Sequence, residues 1–223
     1  MSEQRPKFKI LLNLFLLLLV ITTGACNAGK SVVEIETLHG TMKLRLFEST
    51  PRHTQNFETL VASNFYDGTL FHRVIPGFMI QGGDPDSKTA MPGQMLGAGG
   101  SGDELQQEIN AIHLRGALAA ARQGDELNPE RKSNSKQFFI VTGRTVTMEY
   151  LDAIAQTKGI TYTAEQKTLY LTKGGEPSLD GDYTVFGQMI EGFETLSKIS
   201  AEPCDINNRP LRNISMKIKI VKE

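Results

Sequence analysis

From Val32 onward the apolar residues of this chain come in short runs, each cut by glycine, proline or charge before it reaches the length of a core helix. "VVEIETLHGTMKLRLF" alternates on both sides of "LHG". Val33, Ile35 and Thr37 share one face of the first arm, and Met42, Leu44 and Leu46 one face of the second. A period of two with a break near Gly40 predicts an antiparallel strand pair. "GTLFHRVIPGFMIQGG" predicts two short strands about a Pro76-Gly77 bend, followed by a glycine-rich loop from Asp86 to Glu104. "GALAAAR", "KQFFIVTG" and "DYTVFGQMI" are further strand segments. The ending "ISMKIKIVKE" sets Ile214, Met216, Ile218 and Ile220 against lysines, the pattern of a half-buried strand. Many short strands without βαβ alternation predict a mainly β fold, a closed antiparallel barrel.

Two helices belong to that barrel. In "STPRHTQNFETLVAS", Ser49 or Thr50 can cap, Pro51 suits the first turn, and Phe57, Leu60 and Val61 recur at helical spacing; "FETLSKIS" is the second. The stretch from Thr147 to Glu176 breaks the strand rhythm. "TMEYLDAIAQTKG" spaces Leu151 and Ile154 three apart and stops at Gly159. "TAEQKTLYLTKGG" opens with Thr163 and Gln166 in capping-box spacing and stops at Gly174-Gly175. Residues 147–176 are therefore expected to form a helical hairpin inserted between barrel strands.

The N-terminus has a different composition. Arg5, Lys7 and Lys9 precede an apolar run from Ile10 to Ile21, shorter than the roughly 20 residues a spanning helix needs. Small residues and Cys26 follow in "TTGAC". The pattern predicts a secretory signal over residues 1–25, with a single anchor helix as the alternative. "TGAC" resembles the lipobox of bacterial lipoproteins, which implies cleavage before Cys26, lipid on that cysteine, and a short tether over 26–31. Thr23 stands where leucine is commonest in that box. The chain is then exported and held by lipid at the cell envelope, on the periplasmic side. Loss of residues 1–25 takes the formal net charge from -1 to -3. No basic stripe marks a nucleic-acid partner. Cys204 remains as a lone loop thiol. His39, His53, His72 and His113 are scattered without metal spacing and read as structural or exposed. No GxSxG elbow occurs, and "GGDPDS" lacks the later ligands of a calcium loop. No metal or cofactor is expected, and oligomeric state stays open.

The chemistry concentrates in "FHRVIPGFMIQGGD", Phe71 to Asp84, where Arg73 and Gln81 interrupt core-like sequence. Alone, Arg73 equally suits a structural arginine, and Phe78, Met79 and Phe139 suit plain core. Together with "RGALAAAR", "SKQFFIVTG" and "LDGDYTVFG", in this order, the motif resembles the cyclophilin family of peptidyl-prolyl isomerases across residues 32–223, apart from the insertion. That resemblance implies an eight-stranded closed barrel capped by two helices. It implies that Arg73 is the catalytic donor and that Gln81 orients it. Phe78, Met79, Phe139 and Leu179 match the proline pocket, and Ala121 the adjoining groove. Arg122, through its backbone, and Gln137, through its side chain, match positions that bind the extended substrate chain. Tyr183 stands where animal members often carry histidine, Ser178 where many carry tryptophan, and Arg122 where asparagine is common. The expected activity is rotation of X–Pro bonds in proline-containing polypeptides, aiding the folding of exported proteins. The alternative is a module that holds proline-containing segments with little turnover.

Overall fold

The computed structural model describes residues 31–100 and 102–221, so the leader and Cys26 lie outside the described residues. Strands β1 (Val32–Thr37) and β2 (Gly40–Leu46) form the expected hairpin, with Thr37 opposite Gly40 across the two-residue turn Leu38-His39. Gly40 has φ +123°, and a Cβ there would lie 2.7 Å from the Thr195 hydroxyl, so the turn accepts only glycine. Val33, Ile35, Met42 and Leu44 are fully buried, as the period of two demands.

The remaining sheet strands are β3 (Phe71–Ile75), β4 (Met79–Gly82), β6 (Ala117–Ala120), β8 (Phe138–Val141), β9 (Val185–Glu191) and β10 (Met216–Val221), while β5 (Glu104–Leu105) and β7 (Ser133–Asn134) pair separately. The sheet is antiparallel and eight-stranded, in the order β10-β1-β2-β9-β6-β8-β4-β3. It does not form the expected closed barrel. The edge strands β3 and β10 form no ladder; the chain just ahead of each meets at a Leu70–Ser215 bridge, with Phe71 N–H to Ile214 O at 2.9 Å, Met216 N–H to Thr69 O at 2.9 Å and Gly68 N–H to Met216 O at 3.0 Å. Beyond that point the outer edge of β3 is taken by a loop. Val74 N–H donates to Asn208 O at 2.8 Å, and Cys204 Sγ approaches Val74 O at 3.7 Å. The sheet therefore curls into a half-barrel. On β10, Met216 and Ile218 are buried, as is Ile214 before it, but Ile220 is 45% exposed because the strand outruns the core.

Helices α1 (Pro51–Ala62) and α4 (Phe193–Ser200) pack on the curled sheet, α1 against β9 and β10 and α4 against β2. Thr50 occupies the N-cap position of α1 without capping it. Its hydroxyl donates to Phe47 O, and the carboxylate of distant Glu108 accepts from the backbone N–H of Arg52 and His53 at 3.2 and 3.1 Å. A carboxylate at a helix N-terminus answers both free donors and the helix dipole. The inserted hairpin is α2 (Met148–Lys158) and α3 (Ala164–Lys173). Gly159 ends α2 in the left-handed conformation, and Thr163 with Gln166 makes the full capping box of α3.

The sheet is buried on both faces, and its alternation divides the core. Phe138 and Ile140 of β8 join the interior cluster with Leu118, Ala120 and Ile80. Their neighbours Phe139 and Val141 join a second cluster with Met79, Ala117, Ala119, Ala121, Leu179 and Val185. The small side chains of β6 on this second face leave room above Phe139. A third cluster, Leu114, Val146, Leu151, Tyr162 and Tyr170, ties the hairpin to the sheet.

Candidate active site

The second face carries the expected residues, around a cleft left open within it. Arg73 on β3 stands opposite Gln81 on β4, and Gln81 opposite Phe139 on β8. A cleft of about 80 Å³ is lined by Arg73, Phe78, Met79, Gln81, Ala121, Arg122, Phe139, Leu179 and Tyr183. Phe139 and Tyr183 meet edge to face at 5.6 Å. The cleft thus has apolar walls, one guanidinium and one phenol. Every residue expected at the site lines it except Gln137, which stands behind it.

Hydrogen-bond polarity fixes how the polar groups are held. Arg73 Nη1 donates to Gln81 Oε1 at 3.3 Å, and a guanidinium can only donate. Gln81 Nε2 must then donate, and does so to Gln137 Oε1 at 3.0 Å. Gln137 Nε2 in turn donates to the carbonyls of Gly97 and Gly99 at 3.0 and 2.7 Å. Buried Asp84 closes the relay by accepting from Gly97 N–H at 2.5 Å. The glycine-rich loop therefore supports Arg73 through two amides. Arg73 is half-buried and forms no ion pair among the described residues, so its charge remains available to the cleft.

Arg122 forms the rim. Its guanidinium lies 4.7 Å from the centroid of the Tyr183 ring, donates to Asp182 O at 2.9 Å and pairs with Asp125 at 2.6 Å. Its backbone N–H and C=O make no hydrogen bond among the described residues and can meet an extended chain. Ser178 does not line the cleft. Its hydroxyl donates to Glu176 at 2.6 Å.

The sequence reading missed a buried group behind the cleft. His113 stacks on Phe139 at 6.1 Å with the rings 10° apart. Its Nδ1 donates to Asp180 Oδ1 at 2.8 Å, and the hydroxyls of Tyr162 and Tyr170 donate to Asp180 Oδ2 at 2.8 and 2.6 Å. Burial, with Asp180 adding to it, raises both phenols far above their usual range, so they remain donors. Lys158 at the end of α2 reaches Asp180 O and the Asp182 carboxylate at 2.8 and 2.5 Å. The hairpin is thus fastened to residues flanking Leu179 and Tyr183. No local pattern announces this cluster, because Asp180 meets His113 across 67 positions.

The sequence model of the family "Cyclophilin type peptidyl-prolyl cis-trans isomerase/CLD" matches residues 32–221. A relative from Staphylococcus aureus (strain USA300), named "Putative peptidyl-prolyl cis-trans isomerase", is 36% identical over 196 residues, covering 87% of this chain and 93% of the relative. A Staphylococcus epidermidis relative of the same name is 36% identical over 192 residues, covering 86% of this chain and 91% of its own. Among solved structures, a cyclophilin type peptidyl-prolyl cis-trans isomerase of Cryptosporidium parvum superposes with TM-score 0.63 at 30% identity, covering 87% of this chain and 99% of that one. A crystal structure of the same parasite protein obtained in the presence of the dipeptide Ala-Pro superposes with TM-score 0.60 at 30% identity, covering 86% of this chain and 98% of that one. With its family match spanning the whole described half-barrel, this chain belongs to the cyclophilin-type peptidyl-prolyl cis-trans isomerases.

Proposed function

We propose that the chain accelerates X–Pro rotation in exported polypeptides by stabilising the twisted amide without covalent chemistry. The barrier, about 18–20 kcal/mol, arises because the C–N bond loses conjugation as it turns. The proline nitrogen then regains a lone pair. A donor aimed at that nitrogen strengthens only in the twisted state, which is the condition for catalysis. The observation that carries the reading is Arg73: half-buried, without a carboxylate partner among the described residues, held by Gln81, beside an apolar cleft of a few ring atoms' size. Phe78, Met79, Phe139 and Leu179 would grip the proline ring, and the open backbone of Arg122 would hold the preceding chain. The Ala-Pro dipeptide associated with the parasite relative supports proline-containing peptides as the substrate class.

The basic, apolar, small-residue leader and Cys26 support an exported protein held to a membrane by lipid, with the periplasmic side as its workplace. Exchange spectroscopy on a proline peptide with full-length protein and the Arg73→Ala variant tests the catalytic reading. A large fall in turnover with little change in peptide affinity is expected. Equal turnover in parent and variant would overturn Arg73 as the catalytic donor, and no turnover in the parent would leave only a proline-binding module.

A further inference from the structure

A groove of about 570 Å³ lies between the β3–β4 turn at Pro76-Gly77, the end of α3 and the last turns of α4. It shares no lining residue with the proline cleft. Its size falls within the roughly 300–1,000 Å³ of ordinary ligand sites. Among the described residues three cations line it, Arg115, Arg144 and Lys173, and no carboxylate does. Arg144 is answered by the buried Glu176 at 3.1 Å. Arg115 is held without a carboxylate: it lies over the Phe193 ring at 5.5 Å and donates to Ser197 Oγ at 2.9 Å. Lys173 makes no ion pair among the described residues. Thr142, also in the lining, is 7% exposed, and its hydroxyl has no hydrogen-bond partner among the described residues.

We propose that this groove binds an extended, carboxylate-rich segment of a polypeptide. Arg115, ahead of β6, and Lys173, at the end of α3, supply positive charge from two separate elements, so two carboxylates spaced along a strand fit better than one compact anion. The helix ends sharpen that choice. α3 and α4 both end at this groove, each helix C-terminus carrying roughly half a negative charge. Besides its carboxylates, a peptide brings backbone N–H donors to meet the negative helix ends, which a bare phosphate lacks. The insertion builds one wall, so the site exists because of α3. The groove also adjoins the proline cleft: Thr142 and Gly143 N–H donate to Phe78 O at 3.1 and 3.3 Å, and Phe78 lines the cleft. A client held here by an acidic stretch would present nearby prolines at raised local concentration. That last consequence alone rests on the isomerase reading.

The test is fluorescence anisotropy of full-length protein with a labelled, proline-free peptide of alternating glutamate and alanine. The expected result is saturable, salt-sensitive binding, no binding of the glutamine counterpart, and roughly tenfold weaker binding by Lys173→Glu and by Arg115→Ala. Arg73→Ala should bind the peptide like the parent, which separates this site from the proline cleft. Lys173 is exposed and makes no ion pair among the described residues, so its substitution leaves folding intact. Binding unchanged in both groove variants would overturn the proposal. So would failure of the peptide together with Lys173-dependent binding of vesicles containing anionic phospholipid, which would make the groove a headgroup site.

Discussion

Gln81 faces Arg73 directly across the β3–β4 ladder and offers it an oxygen, at 3.3 Å, because its nitrogen is committed to Gln137 at 3.0 Å. The pairing answers why a guanidinium sits in core-like sequence. Arg73 is neither neutralised by a carboxylate nor left loose. A neutral amide fixes its direction while leaving its charge unspent. The price of that arrangement is a relay of buried amides that must all be satisfied, ending on the carbonyls of Gly97 and Gly99.

Gln137 is therefore expected to act through Gln81. Gln137→Leu leaves the Gln81 amide and two loop carbonyls unanswered, a cost of about 1–3 kcal/mol per buried group. Urea unfolding should show that loss. Turnover of a proline peptide should fall with KM little changed, since Arg73 loses its support rather than the substrate its binding. An effect confined to KM would instead place the Gln137 side chain on the substrate, as the family resemblance alone implied.

Much of this architecture was legible along the chain, and the exceptions share one cause. The β1–β2 hairpin, α4 and the capping box of α3 depend on neighbours a few residues apart, and period and caps disclose them. The cleft was legible through ordered motifs, since Arg73, Gln81 and Phe139 fall on adjacent strands of one face. What stayed hidden needed partners far along the chain. Glu108 displaced Thr50 as the cap of α1, the loop near Asn208 took the β3 edge that barrel closure required, and Asp180 gathered His113, Tyr162 and Tyr170. A polar side chain in sequence shows what it can bond, not which distant group reaches it first.

Asp180 gives the hairpin a structural role beyond covering a surface. Tyr170→Phe keeps the ring but removes the hydroxyl that donates to Asp180 at 2.6 Å and accepts from His113 N–H at 3.0 Å. The expected loss is about 1–3 kcal/mol in urea unfolding with an unchanged m-value. Because His113 stacks on Phe139, the Phe139 ring resonances should shift as well. A variant as stable as the parent, with Phe139 unmoved, would mean that Tyr162 and His113 suffice for Asp180.

Cys26 lies outside the described residues, so its role is tested by fractionation. Cys26→Ser in the full chain should move the protein from the membrane fraction to the soluble extracytoplasmic fraction while isomerisation is retained. Under the proposed lipid anchoring, several acyl chains on that residue would hold stably where one chain binds only marginally, so their loss should release the protein. A parent protein recovered from the membrane with its own leader uncleaved would instead support the anchor-helix alternative.

His72 should make the fold sensitive to mild acid. It is 3% exposed, and burial holds its pKa down to about 4, against 6.5 for the free side chain; nearby Asp84 opposes this without overcoming it. The unfolded chain takes up a proton as pH falls below about 6.5, while the folded protein resists until about pH 4. Stability is thus fully present above pH 6.5 and declines between those values. At 1.36 kcal/mol per pKa unit the decline approaches about 3 kcal/mol. His53, also lowered by burial, adds in the same direction, and carboxylates contribute their own slopes. The comparison must therefore be differential. Urea unfolding of the parent and His72→Asn at pH 7, 6, 5 and 4.5 should give curves that converge as pH falls, because only the parent loses the His72 contribution. A constant offset between the two across that range would show that His72 protonates equally in both states, and that its burial does not oppose its charge.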